Sequence, residues 1–436
     1  MLQAQGRSEA IASYALAVDD LSRLRQDLAT TDQNVQFSFR DQIEPLYKEY
    51  VQLLLKDVNV LAPEIRQQRL IKARETIEAL QLSELQDFLK AACNTYKPQP
   101  LTQIPEKTAL IYPIVLDKHL EVITALPNQP LLHHSIDLTP KTVSTTVNQL
   151  RASLNPEISP ETGLPAAQKL YDWLIRPLEP NLKEIETLVF VPNGFLRNIP
   201  LGVLHNGDRY LTENYNLALT TGLNLIDNRK NQQDIQPILL LAGLSQARQG
   251  FAALSFVEQE LQTIAAQLPS TILLNQNFSP ANIQASLVDR PPSVVHLATH
   301  GQFSSNADQT FLLTWNDRLK LNQIRQWLQQ TRRNHPLDLL VLSACQTAKG
   351  DDRAELGLAG MAVKSGAAST IATLWNVSDQ ATAQLMMDFY QYWRSPQAQP
   401  RTKAQALRQA QLNQLRSQQH SHPYYWAGVV LIGDWN

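Results

Sequence analysis

Cysteine is almost absent from this chain, which has only Cys93 and Cys345 among its 436 residues. A framework of disulfides is therefore not expected. We expect a reducing, cytoplasmic setting instead. The sequence also lacks a signal peptide and an apolar run of membrane-spanning length, so no membrane partner is predicted. The net charge of −2, without a basic run, argues against a nucleic-acid partner.

Metal-binding and cofactor motifs are also missing. His296 and His300 are four residues apart, a spacing that serves zinc on a helix but not on a strand. The residues between them do not include the glutamate of zinc peptidases. We therefore predict no cofactor and no metal, and we expect His296 to face the protein core.

The length of the chain predicts more than one domain, because single cores stop growing at about 250–300 residues. A hydrophobic fraction of 43% and a charged fraction of 18% are typical of a soluble globular protein. Changes of pattern predict three parts: a helical region over 1–100, an α/β subdomain over 101–232 and a second α/β subdomain over 233–436.

Residues 1–100 carry apolar stripes with helical spacing, such as Ile43, Leu46 and Tyr50. No clean repeat of about 34 residues is found, so we expect a helical bundle or degenerate helical repeats. Cys93 falls beside one stripe and is expected to be a small core residue. These helices are a candidate surface for a regulatory protein partner.

Residues 101–232 predict short strands and two helices. The β-branched runs 108–115 and 119–125 predict a hairpin. Asn206-Gly207 predicts a second hairpin. None of the strands predicted here ends in a nucleophilic side chain.

Residues 233–436 alternate between strand and helix patterns, which predicts right-handed crossovers and a mostly parallel sheet flanked by helices. The fold class is therefore α/β. The predicted strands are 237–242, 270–274, 293–298, 338–344, 369–374 and 426–432. The predicted helices are 256–268, 281–288, 321–330, 356–363, 379–393 and 402–416.

Two of these strands end in reactive side chains. One apolar run leads to His300 and the other to Cys345. Groups at the carboxyl ends of parallel strands project into the crevice where ligands bind. An imidazole beside a thiol can take its proton and return it to a leaving amine, which is the chemistry of a cysteine peptidase.

The residues around this pair fit the same chemistry. The separation of the two, 345 − 300 = 45 residues, leaves room for one crossover and is close to the offset of roughly 50 residues in caspases. Gly301 lets its backbone N–H approach a substrate carbonyl. With the N–H of Cys345 it is a candidate oxyanion hole.

A set of motifs in fixed order resembles the CHAT domain family. The resemblance covers roughly residues 100–436 and is most specific from residue 293 onward. The motifs are Ala298-Thr299-His300-Gly301, Leu342-Ser343-Ala344-Cys345-Gln346-Thr347, Gly357-Leu358-Ala359-Gly360, Ser365-Gly366-Ala367-Ala368, Leu374-Trp375-Asn376-Val377-Ser378-Asp379, Tyr425-Trp426-Ala427-Gly428 and Leu431-Ile432-Gly433-Asp434-Trp435.

The resemblance implies a caspase- and separase-like cysteine endopeptidase of the CD clan. The dyad histidine falls on His300 and the nucleophile on Cys345. It also implies that 101–232 is a non-catalytic, pseudo-caspase subdomain, and that 233–436 is catalytic. Asp379 occupies the place of an acidic residue that meets a basic P1 side chain in separase-like members, although it is equally suited to cap the following helix.

Two other functions stay open from sequence. The chain is alternatively a latent or inactive caspase-like module for protein interaction and regulation. A small-molecule hydrolase on the same fold has no sequence feature in its favour. The leading hypothesis is a peptidase that acts on a protein or peptide substrate through a thioester acyl-enzyme.

Overall fold

The computed structural model describes residues 2–28, 33–89, 104–222, 236–304, 309–320, 323–324, 326, 337–347, 366–375, 377–394 and 401–436. In this part of the chain, helices pack on one large mixed sheet. Both predicted domain boundaries, near 100 and 232, lie outside the described residues. The three-part division stays a prediction.

The helices fall into three groups along the chain. The first group is α1 (Leu2–Leu28), α2 (Gln33–Leu55) and α3 (Pro63–Leu89). The second is α4 (Pro140–Ser153), α5 (Leu164–Leu174) and α6 (Leu211–Asn214). The third is α7 (Val257–Ala265), α8 (Pro280–Asp289), α9 (Asp379–Arg394), α10 (Lys403–Leu415) and α11 (Pro423–Trp426).

The strands fall into two groups, one in each α/β part of the sequence. The first group is β1 (Thr108–Val115), β2 (His119–Ala125), β3 (Leu132–Asp137), β4 (Thr187–Phe190) and β5 (Asn216–Leu219). The second is β6 (Leu239–Gly243), β7 (Ser270–Leu274), β8 (Val294–Phe303), β9 (Phe311–Leu313), β10 (Arg318–Lys320), β11 (Leu339–Thr347), β12 (Ser369–Thr373) and β13 (Val429–Gly433).

All of these strands belong to one sheet, whose main path runs β10-β9-β8-β11-β12-β13-β5-β4-β1-β2-β3, with β6 joined to β7 and β8. The central pairs β6–β8, β8–β11 and β11–β12 are parallel. The side chains of β6, β12, 294–299 of β8 and 339–343 of β11 are buried on both faces, which explains why these segments read as continuous apolar runs. The predicted mostly parallel α/β fold is confirmed.

Several predicted elements match the structure closely, and others differ from it. The hairpin of β1 and β2 has the predicted bounds. The hairpin predicted at Asn206-Gly207 is reduced to a turn with one bridge, His205–Tyr210, because a 3-10 helix precedes it and α6 follows it. The helix predicted over 356–363 lies outside the described residues, as does most of the one predicted over 321–330.

The amino-terminal helices are attached to the sheet by polar side chains of α3. Glu78 accepts a hydrogen bond of 2.7 Å from the hydroxyl of Tyr112 on β1. Glu84 pairs with Arg197 at 2.6 Å. Further along α3, buried Leu85 joins the apolar cluster of β6 and β8. The helix therefore contacts both groups of strands.

The two groups of strands meet at a narrow seam between β5 and β13. Only Leu219 and Ile432 are paired across it, whereas β13 pairs with β12 through five residues. An apolar cavity lies beside this seam, and its lining includes Gly202, Leu217 and Val430. The ladder is therefore at its weakest between the two halves of the sheet.

Candidate active site

The two predicted dyad residues lie on neighbouring parallel strands. The ladder between β8 and β11 runs from Val294–Leu339 to Ala298–Ser343 without interruption. It continues with Cys345 paired to Gly301, directly after His300. The fold therefore brings the backbones of His300, Gly301 and Cys345 to adjoining positions, as the alternation of strands and helices predicted.

A bulge falls at the histidine. Between the Ala298–Ser343 and Gly301–Cys345 pairs, β8 advances three residues and β11 advances two. The extra residue bends β8 where Thr299 and His300 lie. Bulges of this kind occur next to active sites, where they re-aim a side chain. The Thr299 hydroxyl fixes the bend by donating 2.9 Å to the carbonyl of Leu313 on β9.

The imidazole of His300 has a hydrogen-bond partner on a neighbouring loop. Its Nε2 lies 2.9 Å from the carbonyl oxygen of Ala252. A carbonyl only accepts, so the neutral ring carries its proton on Nε2 and its lone pair on Nδ1. The half-exposed ring also lies 5.1 Å from the ring of Phe251. Nδ1 is therefore the nitrogen suited to accept a proton.

Residues 244–256, here called the histidine loop, bring Ala252 to His300. The loop turns at Gln249 and Gly250, which have φ angles of 49° and 86°. Arg248 and Phe251 flank these two residues and exchange backbone hydrogen bonds of 3.2 and 2.8 Å. Positive φ at both central positions defines a type I′ turn. This turn fixes the backbone just before the carbonyl that His300 contacts.

The histidine loop docks on the hairpin of β9 and β10. Gln249 donates to the carbonyls of Thr314 and Asp317, at 3.2 and 3.3 Å. The guanidinium carbon of Arg248 lies 3.3 Å from the ring centroid of Trp315, which is a cation–π contact. The side chains of Gln249 and Arg248 therefore hold the tip of the loop against the hairpin.

Asp379 lies at the other end of the histidine loop. It is the first residue of α9, is half-buried, and its Oδ2 accepts 2.9 Å from the backbone N–H of Phe256. Phe256 immediately precedes α7, so the carboxylate caps a neighbouring helix rather than its own. The sequence suggested that Asp379 caps the helix that follows it, whereas in the structure its side chain caps α7.

Competing effects act on the Asp379 carboxyl. Burial is the largest cause and raises its pKa, and the charge of Glu260 raises it further. The hydrogen bond from Phe256 and the charge of His300 lower the pKa. Asp379 therefore responds electrostatically to both His300 and the buried Glu260.

His296 faces the core, as expected. It is fully buried, and its Nε2 lies 2.9 Å from Oε1 of Glu260 on α7. That contact lacks the alignment of a hydrogen bond, so it is an ion pair when the ring is protonated. Its Nδ1 lies 3.3 Å from the hydroxyl of Tyr390 on α9. His296 therefore links β8 to the two helices behind it.

Trp375 has a packing role. Its indole N–H donates 3.1 Å to the carbonyl of Tyr424. A Cβ at Gly428 would lie 2.8 Å from the indole ring, closer than real Cβ contacts. The close approach explains why a glycine ends the motif at 425–428.

The sequence did not reveal the histidine loop. Ala252 acts through its backbone, which leaves no residue-type signal, and Gln249 is one glutamine among many. Gly250 is the only hint of a turn there. Within the described residues, no three His, Cys, Asp or Glu side chains are grouped to hold a metal ion. The described helices include none long and apolar enough for a membrane span.

Solved structures with a similar fold include two crystal structures of the Saccharomyces cerevisiae separase–securin complex. They match with TM-scores of 0.53 and 0.51 at 10% sequence identity, over 98% of this chain and 40% of theirs. This chain thus spans less than half the length of those it matches. A crystal structure of the Arg-specific cysteine proteinase gingipain R matches 68% of this chain and 74% of its own, with 10% identity and a TM-score of 0.43.

Comparison of sequences gives the family. No curated protein matches. The sequence model of the CHAT domain matches residues 164–434, which is more than half of the chain and includes both His300 and Cys345. The chain therefore belongs to the CHAT domain family.

Proposed function

We propose that this protein is a cysteine endopeptidase that cleaves a protein substrate through Cys345 and His300. The observation that carries the proposal is the ladder position of Cys345, opposite Gly301 and next to His300 on a parallel strand. The hydrogen bond from His300 to Ala252 supports it, because it leaves Nδ1 with the lone pair. Membership of a family with a caspase-like fold supports it further.

The proposed reaction has two stages. Nδ1 of His300 takes the thiol proton, and the thiolate of Cys345 attacks the scissile carbonyl carbon. The C–N bond then breaks, the imidazolium gives its proton to the leaving amine, and a thioester remains. A water molecule loses a proton to His300 and attacks the thioester, which releases the acid and restores the thiol. The N–H groups of Gly301 and Cys345 stabilise the oxyanion.

The proposed substrate has a basic residue at P1, which Asp379 would bind in the S1 pocket. The carboxylate is half-buried, and burial raises its pKa because the charged form loses hydration. A basic P1 side chain would supply the compensating charge and make a charge-assisted hydrogen bond. This role competes with the hydrogen bond that Asp379 accepts from Phe256. One carboxylate has room for both, since it offers two oxygens.

The test uses a positional-scanning library of fluorogenic peptides. We expect cleavage by the parent protein and a loss of at least about 10³-fold in Cys345→Ala, because no other group supplies the nucleophile. Cys93→Ala is the matched control and keeps its activity. A preference for Arg or Lys at P1 that disappears in Asp379→Asn supports the S1 role.

Three outcomes contradict these proposals. Turnover that survives Cys345→Ala rules out the mechanism, and absence of turnover with every peptide favours the latent interaction module. A P1 preference that Asp379→Asn leaves unchanged removes Asp379 from the S1 pocket. Intact-mass analysis after a thiol-reactive probe gives a second measure, since an activated Cys345 is labelled before Cys93.

The proposed setting is reducing and cytoplasmic, which would keep Cys345 as a free thiol. A regulatory protein partner is proposed for the amino-terminal helices. Val60 and Ile65, near the turn between α2 and α3, are 83% and 47% exposed, which supports a contact surface there. Pull-downs with the full-length chain test this surface. If a protein partner binds there, Val60→Asp should capture less of it than the parent does.

A further inference from the structure

Within the part of the chain that the structure describes, the hydrogen-bond partner of His300 is a main-chain carbonyl of the histidine loop. A backbone carbonyl cannot be tuned by its own side chain, so its position depends on what holds the loop. The loop crosses from β6 to α7 and lies largely at the surface, with Ala252 itself exposed. The alignment of His300 therefore depends on the side chains that anchor this loop.

The first anchor is Gln249, at the tip of the loop. Its amide nitrogen donates to two carbonyls of the β9–β10 turn, and its amide oxygen accepts 3.3 Å from Nε of Arg318. One side chain thus uses both ends of its amide on the same hairpin. That hairpin is fixed in turn to the bulge of β8, through the Thr299 bond to Leu313. Gln249 therefore ties the loop to the segment that carries His300.

The second anchor is Asp379, at the end of the loop. Its carboxylate accepts from the backbone N–H of Phe256, four residues after Ala252. The N–H groups at the start of a helix lack intrahelical partners, so this acceptor fixes the point where the loop becomes α7. An uncharged oxygen in the same place would accept the same bond.

We propose that Gln249 and Asp379 are positioning residues for His300. They hold the histidine loop at its tip and at its end, so that the Ala252 carbonyl selects the Nε2–H tautomer and leaves Nδ1 as the base. This inference rests on the proposed function in that it takes His300 to be the general base. In this role the oxygen of Asp379 acts by accepting the hydrogen bond from Phe256, and the role does not depend on a contact between its charge and the substrate.

Nitrogen NMR of the imidazole tests this directly. The protein carries ¹⁵N-labelled histidine and Cys345→Ala, so the measurement does not require turnover. The His300 signals are identified by their loss in His300→Ala. We expect the Nε2–H tautomer in this parent. In Gln249→Ala and in Asp379→Ala we expect the Nδ1–H tautomer to become populated, because the carbonyl is no longer held against Nε2.

Three matched variants separate positioning from general damage. Gln246→Ala removes an exposed glutamine of the same loop, and Asp388→Asn alters a carboxylate on the same helix that binds Gln384 and Asn413. Both are expected to keep the parent tautomer. Asp379→Asn also keeps it, because the amide oxygen still accepts from Phe256, although the charge is gone.

The activity readout uses the protein with Cys345 intact. We expect kcat to fall about tenfold in Gln249→Ala with KM unchanged, which matches the loss of one hydrogen bond.

An unchanged tautomer in both Gln249→Ala and Asp379→Ala overturns the proposal, as does a mixture in the parent. A mixture in Asp379→Asn would overturn the role of its acceptor oxygen. Circular dichroism shows whether each variant is folded. If Asp379→Ala is unfolded, Gln249→Ala decides the question, because Gln249 is exposed and its replacement leaves the core intact. Lack of turnover in every variant contradicts the peptidase function but leaves the tautomer result intact.

Discussion

His296 and His300 lie four residues apart on one strand, yet their surroundings differ in almost every respect. His296 is fully buried, with Glu260 at one ring nitrogen and Tyr390 at the other. His300 is half-exposed, with a backbone carbonyl at one nitrogen. The comparison teaches that two histidines of one strand can differ completely in their partner atoms and in their access to water.

The energetic roles of the two regions should therefore be opposite. Removing one member of a buried polar pair leaves the other without a partner, which costs its desolvation free energy. A half-exposed imidazole regains hydration when its hydrogen bond to Ala252 is lost. The amino-terminal part of β8 is thus expected to govern stability, and its carboxyl end to govern reactivity.

The largest effect is expected from His300→Ala. Cleavage should fall by about 10²–10⁴-fold, the range for loss of a general acid–base group, with unfolding free energy changed by less than about 1 kcal/mol. His296→Ala is the matched variant and should show the reverse. Peptide hydrolysis and urea denaturation, run on both proteins, check this. Equal losses of rate in the two folded variants would break the comparison.

The next effect is on stability at the buried pair. Glu260→Ala should lower the unfolding free energy by about 1–3 kcal/mol, because the buried imidazole of His296 loses the polar group next to its Nε2. Glu258→Ala removes an exposed carboxylate from the same helix, whose partner is Gln262, and should cost no more than about 0.5 kcal/mol. Similar midpoints in urea for the two variants would show that the pair contributes no specific stability.

The smallest effect concerns pH, and it joins the two regions through Asp379. Burial raises the folded-state pKa of this carboxyl above its ordinary value of 3.8, so the native state holds the proton more tightly than the unfolded chain. In that window the unfolded state binds fewer protons, and stability falls as pH rises. The penalty is absent below pH 3.8 and complete above the raised pKa.

Asp379→Asn removes this titration. We therefore expect its unfolding free energy, relative to the parent, to increase as pH rises from 3.8 and then to level off. Urea denaturation over this range measures the difference. Asp388→Asn is the control, and a parallel pH dependence in the two variants would assign the slope to something other than the Asp379 site.

Much of the architecture was predictable because it depends on local patterns. Apolar runs buried on both faces defined β8 and β11, and their alternation with helices predicted parallel neighbours. Strands β9 and β10 escaped detection because each has three residues and exists only by pairing with its neighbours. The turn at Asn206 was visible, but its flanks fold as helices, since α6 is capped by Glu213 on the backbone of Tyr210.

The candidate site divides in the same way. His300 and Cys345 were predicted as a dyad because imidazole and thiol side chains are distinctive, and Gly301 was named because it follows His300; the dyad stays a prediction. Ala252 was not, because its part is played by a carbonyl that every residue possesses. The anchors of the histidine loop depend on contacts between segments more than 60 residues apart, such as Gln249 with Thr314, and no sequence period encodes them.

The narrow seam between β5 and β13 has a mechanical consequence. Both His300 and Cys345 lie on the same side of it, together with the histidine loop and Asp379, so the ladder of β8 and β11 does not cross the seam. Helix α3 touches both halves through Tyr112 and the cluster of Leu85. Because that cluster includes Val295 of β8 and Leu340 of β11, a displacement of α3 would reach the strands that carry His300 and Cys345 as well as the other half of the sheet.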